Sequence, residues 1–111
     1  MDVYGIGWEL GKRHGCVLIC YEDNLFEHGV YLCILKCARK GTGSPCLESF
    51  ISAMKAYGFR RIRLDAYPSA YSMGDAPPGA VERLVHWYER FGFRLNGEFT
   101  PDYFNGMSLP L

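Results

Sequence analysis

The sequence predicts an α+β fold: one sheet and two main helices in the order β-β-β-α-β-α-β-β. Three observations carry that expectation. Apolar residues between positions 4 and 37 recur with the spacing of strands, two later segments change to helical spacing, and each is followed by a further strand-like run. The length of 111 residues suits one domain, since domains typically run about 100–150 residues, so 1–111 is read as a single unit.

Tyr4, Ile6, Trp8 and Leu10 alternate with small or polar residues, the period of a half-buried strand. GKRHG then supplies a turn. Cys16–Tyr21 is a continuous apolar run, expected as a central strand buried on both faces. Val30–Cys37 is expected as a third strand, and the short connections suggest an antiparallel meander. After Gly41 and Gly43 the apolar positions Leu47, Phe50, Ile51, Met54 and Tyr57 fall on one helical face. Ser44 is the expected N-cap, Pro45 the first helical residue and Gly58 the stop. Ile62–Tyr67 alternates again. Pro68–Gly79 is a loop by composition, and a second helix is expected from Ala80 to Gly92 on the stripe Val81, Leu84, Val85 and Tyr88. Phe93–Phe99 and Met107–Leu111 are candidate closing strands around a turn at Pro101–Gly106.

Composition excludes several classes. The chain is 49% hydrophobic and 22% charged, whereas disorder requires low hydrophobicity and high net charge. Twelve basic and twelve acidic residues give a formal net charge of zero, so no nucleic-acid partner is expected, since such binders carry a basic excess. Lys36, Arg39 and Lys40, and separately Arg60, Arg61 and Arg63, form basic spots sized for a few phosphates, or else ordinary solvated strand ends. No apolar run approaches the roughly 18–20 residues of a membrane span. The N-terminus lacks a signal-peptide pattern, so a cytoplasmic protein without a membrane partner is expected. Five cysteines make a disulfide framework improbable. Cys16/Cys20 and Cys33/Cys37 share a C-x-x-x-C spacing, but within strand-like runs this reads as core packing rather than a zinc knuckle, and no metal is expected.

The stretch Ala38-Arg39-Lys40-Gly41-Thr42-Gly43-Ser44 joins a strand to a helix. At such a junction the first helical N–H groups lack internal partners and the helix dipole favours an anion. The glycine pair alone serves equally as a turn, because it fits neither G-x-G-x-x-G nor the G-x-x-x-x-G-K-[ST] phosphate loop.

From Val30 onward the chain resembles the GNAT superfamily of N-acetyltransferases. The likeness lies in the strand leading to A-R-K-G-T-G, the helix SPCLESFISAMKAYGF, the strand RRIRLDAYP, the helix ending HWYERFGF and the closing GMSLPL. It covers roughly the last 80 residues. The resemblance implies a single mixed, mostly antiparallel sheet, and acetyl-CoA as cosubstrate. Backbone at Leu35, Lys36 and Cys37 would hold the thioester arm, and Arg39, Lys40, Gly41, Thr42, Gly43 and Ser44 the pyrophosphate. Ala38 stands where the family places Gln or Arg, and the N-terminal part is short, as in some small phage-encoded members that include anti-CRISPR acetyltransferases.

The resemblance also implies direct attack by an amine within a ternary complex. Tyr88 matches the family tyrosine that protonates the leaving thiolate; by its stripe alone it is a core aromatic. Glu27 stands nearest the position of the family's general base, with His28, a residue type that titrates near neutrality, beside it. Both are equally turn residues. Asp65 is a third candidate, otherwise solvated or paired with Arg63. Cys46, in the first helical turn, is either a nucleophile or core. Glu22, Asp23 and Glu27 suit a basic acceptor, a protein lysine among the candidates. Tyr67, Tyr71, Trp87 and Tyr103 are core or an interface, a homodimer being one way to complete a shortened acceptor side. The competing function is an inactive GNAT-fold module that binds a protein or the coenzyme.

Overall fold

A computed structural model describes residues 2–24, 27–68, 75–95 and 106–111. Its elements run α1 (Val3–Arg13), β1 (Cys16–Glu22), β2 (Gly29–Cys37), α2 (Gly43–Ala56), β3 (Arg61–Asp65), α3 (Ala80–Glu89), β4 (Arg94–Leu95) and β5 (Gly106–Pro110). The sheet order is β1-β2-β3-β5-β4. β2 and β3 are parallel, while β1–β2, β3–β5 and β4–β5 are antiparallel. The α+β class and the mixed, mostly antiparallel sheet therefore agree with expectation.

The first element does not. Residues 3–13 form a helix, capped by Asp2, whose Oδ1 accepts the Gly5 N–H at 2.8 Å. Its buried face is Val3, Ile6, Gly7, Leu10 and Gly11, a helical i, i+3, i+4, i+7, i+8 series. Counting the glycines as polar hides this series and leaves a false alternation. The glycines are what the packing requires. A Cβ on Gly7 would lie 2.5 Å from the Cys20 sulfur, and one on Gly11 2.8 Å from the Cys16 carbonyl oxygen. α1 thus lies close against β1, and the expected three-strand meander reduces to the β1–β2 hairpin.

β1 is an edge strand rather than a central one, with Cys16, Leu18 and Cys20 buried and Val17 exposed. α2 begins at Gly43 with Thr42 as N-cap, so Ser44 is its second residue and Pro45 its third. The core is continuous from α1 (Ile6, Leu10) through α2 (Leu47, Phe50, Met54) and the sheet (Val30, Ile62, Leu64, Met107) to Val85, Tyr88 and Phe93. Of the expected strand Phe93–Phe99, residues 96–99 lie outside the described residues, as do most of the Pro101–Gly106 turn, Tyr71 and Tyr103.

Cysteine packing is mixed. Cys20 and Cys46 are buried free thiols, and Cys33 is exposed. Cys16 and Cys37 are directly opposite in the β1–β2 register and are joined as a disulfide, with Cα atoms 4.0 Å apart, against the expectation of free thiols. Among the described residues no helix is long and apolar enough to cross a membrane.

Candidate active site

β2 and β3 pair only from Gly29–Leu32 against Arg61–Leu64. Beyond Leu32, β2 keeps β1 on one edge and, among the described residues, has no strand partner on the other. The β1–β2 register slips at the same place: Ile19 faces Ile34 but Cys20 faces Leu32, leaving Cys33 as a bulged residue. A cavity of about 260 Å³ opens in this wedge. Cys33, Ile34 and Leu35 line one wall, Leu64 and Asp65 the other, and Tyr88 lines it from α3. Backbone groups on the open edge of β2 are therefore available to a ligand, since strand polar groups otherwise seek a partner.

The same strand leads into the glycine loop. Gly41 has φ +88°, a left-handed conformation that L side chains rarely adopt. The Thr42 hydroxyl donates to the Arg39 carbonyl at 2.7 Å, which ties the turn together. Among the described residues the N–H groups of Lys40, Gly41, Gly43 and Ser44 meet no backbone acceptor. They lie at the positive end of a 14-residue helix with no acidic residue in its first turn. A Cβ on Gly43 would lie 3.4 Å from the Trp87 indole and 3.9 Å from the Cys37 sulfur. The loop, the end of β2 and α3 thus converge on one place. Arg39 and Lys40 are exposed beside it, as is Lys36.

Tyr88 is buried, 7% exposed, with its ring edge-on to Trp87 and Phe93. Burial pushes its phenol well above the ordinary value, so it stays protonated through the neutral range. Among the described residues its hydroxyl has no hydrogen-bond partner. A protonated phenol on the wall of a cavity is chemically able to donate a proton to a strong base formed there.

The other candidates divide clearly. Glu27 is almost fully exposed and, among the described residues, lies 3.4 Å from the neighbouring His28. It stands five residues before Leu32, about 16 Å along an extended chain, and does not line the Tyr88 cavity. Asp65 does line it. Cys46 is buried and desolvation raises its pKa, which opposes a nucleophilic role. Arg63 is not solvent-facing: its Nε donates to Asp23 at 2.9 Å, with side chains only 11% and 2% exposed, and its guanidinium lies 4.5 Å over the Tyr31 ring. Arg61 donates to the Ser108 hydroxyl at 3.1 Å. No sequence signal singles out Tyr31, because only the parallel register places it beside Arg63.

No protein-family profile matches the sequence, and no curated protein matches it significantly. Solved structures do. The anti-CRISPR protein AcrVA5 aligns with a TM-score of 0.62 at 20% identity, over 86% of this chain and 90% of that one. The PaiA N-acetyltransferase from Thermoplasma acidophilum, in complex with coenzyme A, aligns at 0.56 and 17% identity, over 86% and 52%. Arabidopsis thaliana Naa50, bound to the bisubstrate analogue CoA-Ac-MVNAL, aligns at 0.56 and 16%, over 86% and 64%. The chain thus spans nearly all of one of these proteins and between half and two thirds of the others. Its fold is that of the GNAT acetyltransferases.

Proposed function

We propose that the protein is an acetyl-CoA-dependent N-acetyltransferase acting on an amine. The observation that carries this reading is the combination of three features: the open edge of β2, Tyr88 on the wall of the cavity beside that edge, and the glycine loop at the α2 N-terminus into which the same strand leads. The residues present fit acetyl-CoA. Glycines at 41 and 43 keep the loop clear of side chains, Lys40, Gly41, Gly43 and Ser44 offer amides without a backbone acceptor among the described residues for a pyrophosphate, and the edge at Leu35–Cys37 offers backbone partners to the thioester arm.

In this reading an incoming amine attacks the thioester carbonyl directly, and acetyl leaves the sulfur for the nitrogen. Backbone N–H groups of the bulged β2 edge stabilise the charge developing on the carbonyl oxygen. The departing thiolate takes the Tyr88 proton, and the proton that the attacking nitrogen sheds on becoming an amide passes to the phenolate so formed, so that Tyr88 ends neutral. A buried phenol suits that task, because its raised pKa keeps it protonated until a strong base forms beside it.

The competing reading, a binding-only domain, draws on the small Ala38 at the start of the loop, which carries no phosphate-facing group. Incubation with acetyl-labelled coenzyme and polylysine separates the two. The enzyme transfers label and Tyr88→Phe slows the transfer; a binding module retains the coenzyme, if at all, with no transfer and no effect of that change.

A further inference from the structure

We infer that Asp65 forms the acceptor end of this cavity, a site for the ammonium group of a primary alkylamine. The inference deepens the acetyltransferase reading, and it stands on the two oxygens of one carboxylate. Oδ2 accepts the Tyr31 hydroxyl at 2.8 Å. Oδ1 is buried and has no hydrogen-bond partner among the described residues. A buried acceptor left unmade costs on the order of 1–3 kcal/mol, and more when charged, so an orphan of this kind calls for a cause.

The surroundings indicate which ligand would satisfy it. Arg63, two residues earlier on the same strand face, is held in the buried pair with Asp23 and over the Tyr31 ring. Tyr31 fixes the carboxylate by a single hydrogen bond and leaves the second oxygen for another donor. The cavity walls at Leu32, Leu64, Pro68 and Leu84 are apolar. Apolar walls ending in a carboxylate match an aliphatic stem ending in a cation. Geometry also separates this end from the thioester end: Asp65 closes the β3 wall, whereas the unpaired backbone belongs to the β2 wall. An amine seated at Asp65 would therefore face the thioester across the wedge, with Tyr88 on the same cavity.

A lysine side chain and a free alkylamine share this chemistry. The test is an amide-resolved NMR titration of the protein, with and without coenzyme A, using n-butylammonium, neutral n-pentanol and Nα-acetyl-lysine-N-methylamide. Saturable shifts at Asp65 and Tyr31 are expected with butylammonium and not with pentanol. Asp65→Asn, whose amide oxygen still accepts the Tyr31 hydroxyl, should weaken the amine about tenfold or more while leaving coenzyme binding unchanged. Tighter binding of the lysine derivative would assign a protein acceptor, and equal binding a free amine. Equal response to butylammonium and pentanol, or no effect of Asp65→Asn, overturns the inference. Coenzyme binding without amine binding would defeat this inference alone; amine binding without coenzyme binding would defeat the proposed function alone.

Discussion

Gly43 and Trp87 pack so closely that a β-carbon on the glycine would meet the indole ring at 3.4 Å. This contact joins the glycine turn at the α2 N-terminus to the helix that carries Tyr88. Position 43 therefore serves both the proposed cradle and the packing of this turn against α3. Alanine is at the edge of ordinary contact there, whereas the branched methyls of valine must displace Trp87. Gly43→Ala should leave the melting temperature nearly unchanged and weaken acetyl-CoA. Gly43→Val should weaken it by about tenfold or more, about 1.4 kcal/mol, as read by calorimetry.

Tyr88→Phe removes a hydroxyl that makes no hydrogen bond among the described residues. Folding stability and coenzyme affinity should survive, while kcat for acetyl transfer falls by about 10²-fold or more. Unchanged kcat would remove Tyr88 from the chemistry.

The pH dependence follows from burial. The Tyr88 phenol is raised by desolvation, and that of Tyr31 by desolvation first and then by its bond to Asp65. A folded pKa above the unfolded value of about 10 means that the unfolded chain loses these protons first. Stability is then complete below pH 10 and declines above it, by up to about 1.4 kcal/mol per pH unit for Tyr88. Denaturant midpoints measured from pH 8 to 11 should be flat and then fall, and Tyr88→Phe should lessen the fall.

The Asp23–Arg63 pair is buried, so removing Asp23 takes the paired carboxylate away from a buried guanidinium. Asp23→Ala should destabilise by about 3–5 kcal/mol. The double change Asp23→Ala with Arg63→Met should cost less than that single change. Urea unfolding of the three variants checks both statements.

How legible these features were in the sequence depended on what kind of signal each one used. α2, β3, α3 and the glycine loop were legible because apolar period, turn residues and their order all agree. α1 was not, because Gly7 and Gly11 belong to its buried face and a hydropathy pattern counts them as breaks. Tyr88 was legible through its place in HWYERFGF. Asp65 was only one of several acids, since its orphan oxygen depends on Tyr31, which the β2–β3 register supplies. Glu27 was placed by proximity in sequence to the start of β2, and the strand's length carries it away from the cavity. The Cys16–Cys37 bond needed the hairpin register, which spacing within one strand does not reveal.

The α1 reading has its own test. In an exposed helix Gly→Ala stabilises, by up to about 1 kcal/mol. Gly11→Ala should instead destabilise by about 1–3 kcal/mol, because the new methyl meets the β1 backbone. Thermal unfolding gives the sign directly.

The central claim, that the turn at Gly41–Gly43 holds the coenzyme's pyrophosphate, is most directly tested by calorimetric titration with acetyl-CoA of the wild type and of Gly41→Val. Space at position 41 is open, so valine acts through backbone strain at φ +88°, about 1–3 kcal/mol. The account predicts saturable one-to-one binding by the wild type and its loss or marked weakening in the variant. Absence of binding by the wild type, or equal affinity in both, would contradict it.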